Sequence, residues 1–323
     1  MKNIRTILAQ ITSRVSRTVF QLVTDSNIFR KANVNGILEI LDFTINNLKF
    51  VSPYKNPFFK KFVDSMVPVD PLIELPNEKS GITVMIPCSS KDFPMLPTVI
   101  YAARSNIRNP ILEIVVVTPD IELVPKNLGS IKIMSDNHFL GQPSVKKLLT
   151  DLKMDSGWIK QQLIKILFCL QSTETNILIL DADTILTKPK LYVSGNTQIL
   201  SFAYEYHSPY IQHLKSFLPL VHDFGLTFVT HHQLWQKDIV EDIWSGDRLN
   251  DWLESMDRNQ LSPISEYNTY GLYIYNFSPD RIRLSRFANE QFSRKILEDT
   301  GQEIDKVSTL FPDSCSISIH SYS

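Results

Sequence analysis

The chain has 323 residues, 43% of them hydrophobic and 21% charged, with a formal net charge of −1. That composition is ordinary for a folded protein and excludes a low-complexity chain, while the near-neutral charge gives no global attraction to nucleic acid. Three widely spaced cysteines, Cys88, Cys169 and Cys315, exclude a disulfide framework and a cysteine metal knuckle, and point to a reducing compartment.

In chain order, residues 1 to about 50 read as helical. The first 24 carry Lys2, Arg5, Arg14 and Arg17 and no acid before Asp25, with Ile4, Leu8, Ile11 and Val15 near one face. Three readings stay open: a helix packed on the body, an amphipathic helix on an anionic membrane surface, and a transit-like leader. Pro53, Pro57, Pro68, Pro71 and Pro76 then mark a linker. The division expected is an N-terminal helical extension and linker over 1–80 and a catalytic body over 81–323.

The body alternates. ITVMIPC (82–88) reads as a buried strand, MLPTVIYAARSN (95–106) as a helix, ILEIVVVTP (111–119) as a strand and IKIM (131–134) as another. GWIKQQLIKILFCLQ (157–171) reads as a helix and NILILD (176–181) as a strand. Later strands are expected at 198–204 and 224–231, helices at 236–245 and 286–299, and a strand-like tail in SCSISIHSYS. Continuous apolar runs between helices predict an α/β fold with a mostly parallel central sheet covered on both faces. No G-x-G-x-x-G follows the first strand and no G-x-x-x-x-G-K-[ST] occurs, so dinucleotide and P-loop sites lose their signatures.

ILILDADTIL (177–186) ends a buried run with Asp181 and Asp183, one residue apart. Open α/β sheets bind ligands at the carboxyl ends of their strands. In an extended segment these two side chains share a side, and two hard oxygen ligands suit Mg²⁺ or Mn²⁺ with phosphate oxygens completing the shell. On the preceding helix, Gln161 and Lys165 are four apart and share a face, from which the lysine could meet a phosphate.

Four blocks in order, GWIKQQLIKI, LDADTIL, TFVTHHQLW and SEYNTYGLYI, resemble a bacterial family of GT-A-like proteins of largely unassigned function from surface-polysaccharide gene clusters. The resemblance spans roughly residues 82 to 320. It implies a GT-A fold and a metal-dependent transfer of sugar from a nucleotide-sugar donor to a hydroxyl of a glycan or lipid-linked acceptor. It further implies a nucleotide seat at Cys88, Ser89 and Asp92, with Gln161, Lys165 and Asp181 toward the donor. Asp181, Asp183 and a late histidine, His320, become the expected metal ligands. The expected setting is cytoplasmic, with peripheral contact at the inner face of the membrane through residues 1–24.

Two further residues are expected at the chemistry. In a strand, His231 and His232 point opposite ways, and His232 is the one assigned to the cleft as a sugar or acceptor contact. Glu266, a lone carboxylate amid Tyr267 and Tyr270, is the expected acid–base group, the alternative being a helix-start glutamate paired with an arginine such as Arg281; the two tyrosines are either core or sugar platforms. Glu205 and His207 are assigned to the acceptor side. Two other readings remain: a nucleotidyltransferase, against which IPCSSKDFPML lacks a glycine-rich loop, and a non-catalytic sugar- or nucleotide-binding protein on the same fold.

Overall fold

A computed structural model describes residues 80–152, 156–203, 207–221, 227–260, 262–286, 288–294 and 314–320. Residues 1–79 of the extension expected over 1–80, and Glu205, lie outside them. The described elements begin with β1 (Ile82–Pro87), α1 (Leu96–Asn106), β2 (Ile111–Thr118), β3 (Lys132–Ser135), α2 (Asn137–Leu140), α3 (Pro143–Asp151) and α4 (Gly157–Gln171). There follow β4 (Asn176–Leu180), β5 (Thr184–Leu186), β6 (Val193–Ser194), β7 (Thr197–Phe202), α5 (Ser208–Phe217), β8 (His232–Gln236), α6 (Lys237–Trp244) and α7 (Arg248–Glu254). The last are α8 (Glu266–Phe277), β9 (Ile282–Arg286), β10 (Asn289–Ser293) and β11 (Ser316–His320).

The central sheet runs β3-β2-β1-β4-β8. Its first four strands are parallel and β8 is antiparallel to β4. Both faces are buried, as the unbroken apolar runs require. Met85, Val115, Ile177 and Ile179 face one core, with α4, α6, α7 and α8; Val84, Ile86, Val116 and Leu178 face the other, with α1. The strand period of two therefore sorts a continuous hydrophobic run into two separate cores.

Two small sheets complete the frame, β10-β11-β5 and β6-β7-β9. The first matters for function. β11 lies antiparallel on β5, pairing Ser318 with Thr184, and so carries His320 back to the end of β4.

Two expectations are corrected. Over the described part, 227–231, the strand expected at 224–231 does not form, and a strand occupies His232–Gln236 instead. A tight turn at His231 separates it from the mostly buried stretch 228–230, so apolar content there reports burial without a ladder. The helix expected at 286–299 gives way to β9 and β10 over its described part. β10 is an edge strand with a polar sequence, and its partner β11 is remote in sequence, so local periodicity could not reveal it.

Candidate active site

The carboxyl ends of β1 and β4 lie side by side, and β8 runs back beside β4 with His232 opposite Leu180. At this edge the chain turns sharply: Thr184 N–H donates to Asp181 O at 3.1 Å. Asp181 and Asp183 therefore sit in a turn, not in an extended strand, and meet different partners.

Asp181 is held from three sides. Its Oδ1 accepts from Lys165 Nζ at 2.8 Å and from Tyr267 Oη at 2.9 Å, and its Oδ2 from His231 Nδ1 at 3.3 Å. Lys165, on the inward face of α4, also donates to Glu266 Oε1 at 2.8 Å and lies 4.1 Å from the Tyr267 ring centroid. Burial alone would raise the Asp181 pKa, but Lys165 and the His231 hydrogen bond override it and hold the carboxyl well below the usual range. Burial would likewise depress the Lys165 ammonium; its two carboxylates instead raise it above the ordinary lysine value.

Asp183, in the same turn, meets β11 instead. Its Oδ2 lies 3.0 Å from His320 Nδ1, and Ile319 N–H donates to its carbonyl at 2.8 Å. Burial first, then the nearby charges of Asp92 and Asp183, push the Cys88 thiol up to about 12. Cys88 is thus an un-ionised thiol, hydrogen-bonded to Ser89 O.

No family model and no curated protein matches the chain. Among solved structures, it is similar to a galactosyltransferase, LgtC, solved with donor and acceptor sugar analogues, at a TM-score of 0.38 and 10% identity over 74% of this chain and 87% of that one. It is also similar to glucosyl-3-phosphoglycerate synthase from Mycobacterium tuberculosis, solved with Mn²⁺, UDP and glucosyl-3-phosphoglycerate, at a TM-score of 0.39 and 13% identity over 68% of this chain and 77% of that one. At this degree of overlap the chemistry must come from the residues themselves.

The donor set fits an open divalent-metal site at Asp183 and His320. Neighbouring ligands about an ion with bonds of about 2.1 Å lie roughly 3 Å apart, the separation already present between Oδ2 and Nδ1. Loss of the imidazole proton on binding would turn this hydrogen bond into two lone pairs. Asp181 fits less well, because its Oδ1 already accepts two hydrogen bonds, one of them from a buried ammonium, and its Oδ2 a third. Among the described residues no three His, Cys, Asp or Glu side chains form a ready cage. Two protein ligands with the rest left to water and phosphate is the usual economy of Mg²⁺ and a workable one for Mn²⁺.

The histidine expectation reverses. His232 is buried in β8 with Nδ1 3.2 Å from Tyr192 Oη, and burial pushes its pKa well down. His231 is the ring at the site. Strand alternation does not apply to the pair, because His231 lies in the turn before β8; its positive φ, 56°, turns its ring to Asp181.

Glu266 is not a lone carboxylate. It opens α8 after the Ser265 cap, is buried, and has Lys165 as its counterion. Its backbone N–H donates to Gln162 Oε1 at 3.0 Å, so Gln162 rather than half-buried Gln161 joins the cluster. Tyr267 and Tyr270 are core: Trp235 stacks on Tyr270 with centroids 5.4 Å apart and meets Tyr267 edge-on. Ser89 Oγ donates to Asp92 Oδ2 at 3.0 Å, and Arg294 grips Asp92 and the Lys91 carbonyl. His207 meets the Ser262 carbonyl at 2.9 Å, away from this cluster.

His231, Gln162 and Arg294 were not foreseen. An amphipathic reading of α4 could have flagged Gln162, four residues from Ile166 on the buried side. Nothing in the sequence marks His231 as left-handed or brings Arg294 to Asp92.

Proposed function

We propose that this chain is a GT-A glycosyltransferase that moves a sugar from a nucleotide-sugar donor to a hydroxyl of a glycan or lipid-linked acceptor in surface-polysaccharide synthesis. The observation that carries the reading is the pairing of Asp183 with His320 at the carboxyl edge of a parallel sheet. Open α/β sheets present ligand sites at that edge, and a carboxylate beside an imidazole is a donor set that suits Mn²⁺ better than Mg²⁺. When bound, the ion would offset charge on the departing diphosphate.

The chain's own residues divide the remaining work. Lys165 keeps Asp181 ionised and fixed, and Glu266 holds the ammonium from its other side. Ser89 and Asp92, tied to each other and to Arg294, form the rim suited to a base and ribose. Among the described residues no helix is long and apolar enough to cross a membrane; membrane contact in this reading rests on the basic, apolar-faced segment 1–24.

The test is a panel of nucleotide sugars with and without Mn²⁺, followed by donor hydrolysis and by thermal stabilisation. Metal-dependent hydrolysis of one donor, lost in Asp183→Ala, is the expected result. Nucleotide binding indifferent to metal and to Asp183→Ala would instead indicate a non-catalytic binding protein.

A further inference from the structure

His231 is an outlier of backbone geometry. Its φ is 56°, and among the described residues it is the one non-glycine residue with positive φ. His232 N–H donates to Thr230 O at 2.6 Å, closing a three-residue turn around it. A γ-turn with positive φ at its centre is rare and strained, and such strain persists where the surroundings over-determine it.

The surroundings do so here. Asn268 Oδ1 accepts from Phe228 N–H at 3.1 Å, Gln233 Nε2 donates to Phe228 O at 3.1 Å, and Thr230 Oγ1 donates to His232 O at 3.1 Å. The turn then clasps Asp181 at two points. Asp181 N–H donates to His231 O at 2.9 Å, and His231 Nδ1 donates to Asp181 Oδ2 at 3.3 Å. The ring also lies 5.5 Å, centroid to centroid, from the ring of His320.

We infer that His231 is a positioning residue of the metal–diphosphate site: its strained turn fixes both the backbone and the second carboxylate oxygen of Asp181, and so sets the turn that presents Asp183 to His320. This rests on the glycosyltransferase reading. The main chain of Asp181 starts the turn that ends at Thr184, so tension on Asp181 passes to Asp183 through two peptide units. Lys165 and Tyr267 fix Oδ1 alone; without His231 the carboxylate can swing about that anchor.

The test uses the full chain and Mn²⁺ itself. Thermal midpoints are recorded across a Mn²⁺ titration for the wild type, His231→Gly, His231→Ala, His231→Asn and Asp183→Ala. Glycine removes the ring and the strain, alanine removes the ring and keeps a strained Cβ, and asparagine tolerates positive φ and keeps a side-chain donor. Without metal, His231→Gly is expected to melt above His231→Ala. Both are expected to need about tenfold more Mn²⁺ for half-maximal stabilisation, the usual loss when a supporting contact is removed from behind a ligand, and His231→Asn to recover most of it. A Mn²⁺ midpoint within about twofold of wild type in both truncations would overturn the inference. A wild type indifferent to Mn²⁺ would instead remove the reading beneath it, and the Gly-over-Ala difference would show that the strained turn itself is real.

Discussion

His320 Nδ1 lies 3.0 Å from Asp183 Oδ2, although 137 residues separate the two in sequence. β11 brings them together by pairing with β5, the strand that follows the turn of Asp183. If the two act as one donor pair, removing either should cost nearly as much as removing both. Asp183→Ala and His320→Ala are each expected to weaken the Mn²⁺ response, and the double variant to be little worse than the weaker single. Effects that multiply in the double variant would mean that the residues bind independently.

Lys165 is a buried cation between buried Glu266 and partly buried Asp181. Removing one member of such a cluster leaves uncompensated charge and costs about 3–5 kcal/mol. Lys165→Met is expected to lose stability of that order in denaturant unfolding. Lys165→Met with Glu266→Gln should recover part of it, since one stranded carboxylate is then neutral. A Lys165→Met protein as stable as wild type would place the lysine in solvent.

Stability should fall in two acid stages. His213 is buried against Trp252, and burial lowers its pKa from 6.5 to about 4 despite its hydrogen bond to the Trp252 carbonyl. Its folded value is depressed, so between pH 6.5 and about 4 the unfolded chain binds the proton and the folded chain does not; stability drops as pH falls through that window, by about 3 kcal/mol at most. His232, also depressed by burial, adds to the same slope. Asp181 is depressed too, but as a carboxylate; its contribution is present above about pH 4 and is lost below it. His213→Phe is expected to flatten the upper stage only, as read from unfolding free energies at pH 7, 6, 5 and 4.

The local signals explain what could be foreseen. β1, β2, β4 and α4 were legible because each buries a continuous apolar run or a strongly periodic face. The carboxylate edge followed from the run ending at Leu180. His320, carried to Asp183 by β11, was expected there only through the resemblance; the other partners did not follow, because each is supplied by remote pairing: Arg294 through β10, and Lys165 to Glu266 across 101 residues. The choice between His231 and His232 turned on one backbone angle that no composition rule encodes. Glu266 was misread for a related reason, since its counterion lies on a different helix.

The SEYNTYG segment, expected to carry an acid–base group, also works as a scaffold for the His231 turn. Ser265 caps α8 by accepting from Asn268 N–H at 3.2 Å, Asn268 holds Phe228, and Thr269 Oγ1 accepts from Trp252 Nε1 at 3.1 Å. Gly271 is where α8 comes closest: a Cβ there would lie 2.3 Å from Cβ and Cγ of Phe228. Phe228 is fully buried and cannot swing aside freely. Gly271→Ala must therefore push the helix or the 227–231 segment, an overpacking that costs about 1–3 kcal/mol. Because Phe228 is three residues from His231, the displacement should reach Asp181, and the Mn²⁺ response should weaken together with the melting point. Combining Gly271→Ala with Phe228→Gly removes both of the close atoms, Cβ and Cγ, so the double variant should be more stable than the sum of the two singles predicts. Additive losses would show that the helix, not the His231 turn, absorbs the added methyl group.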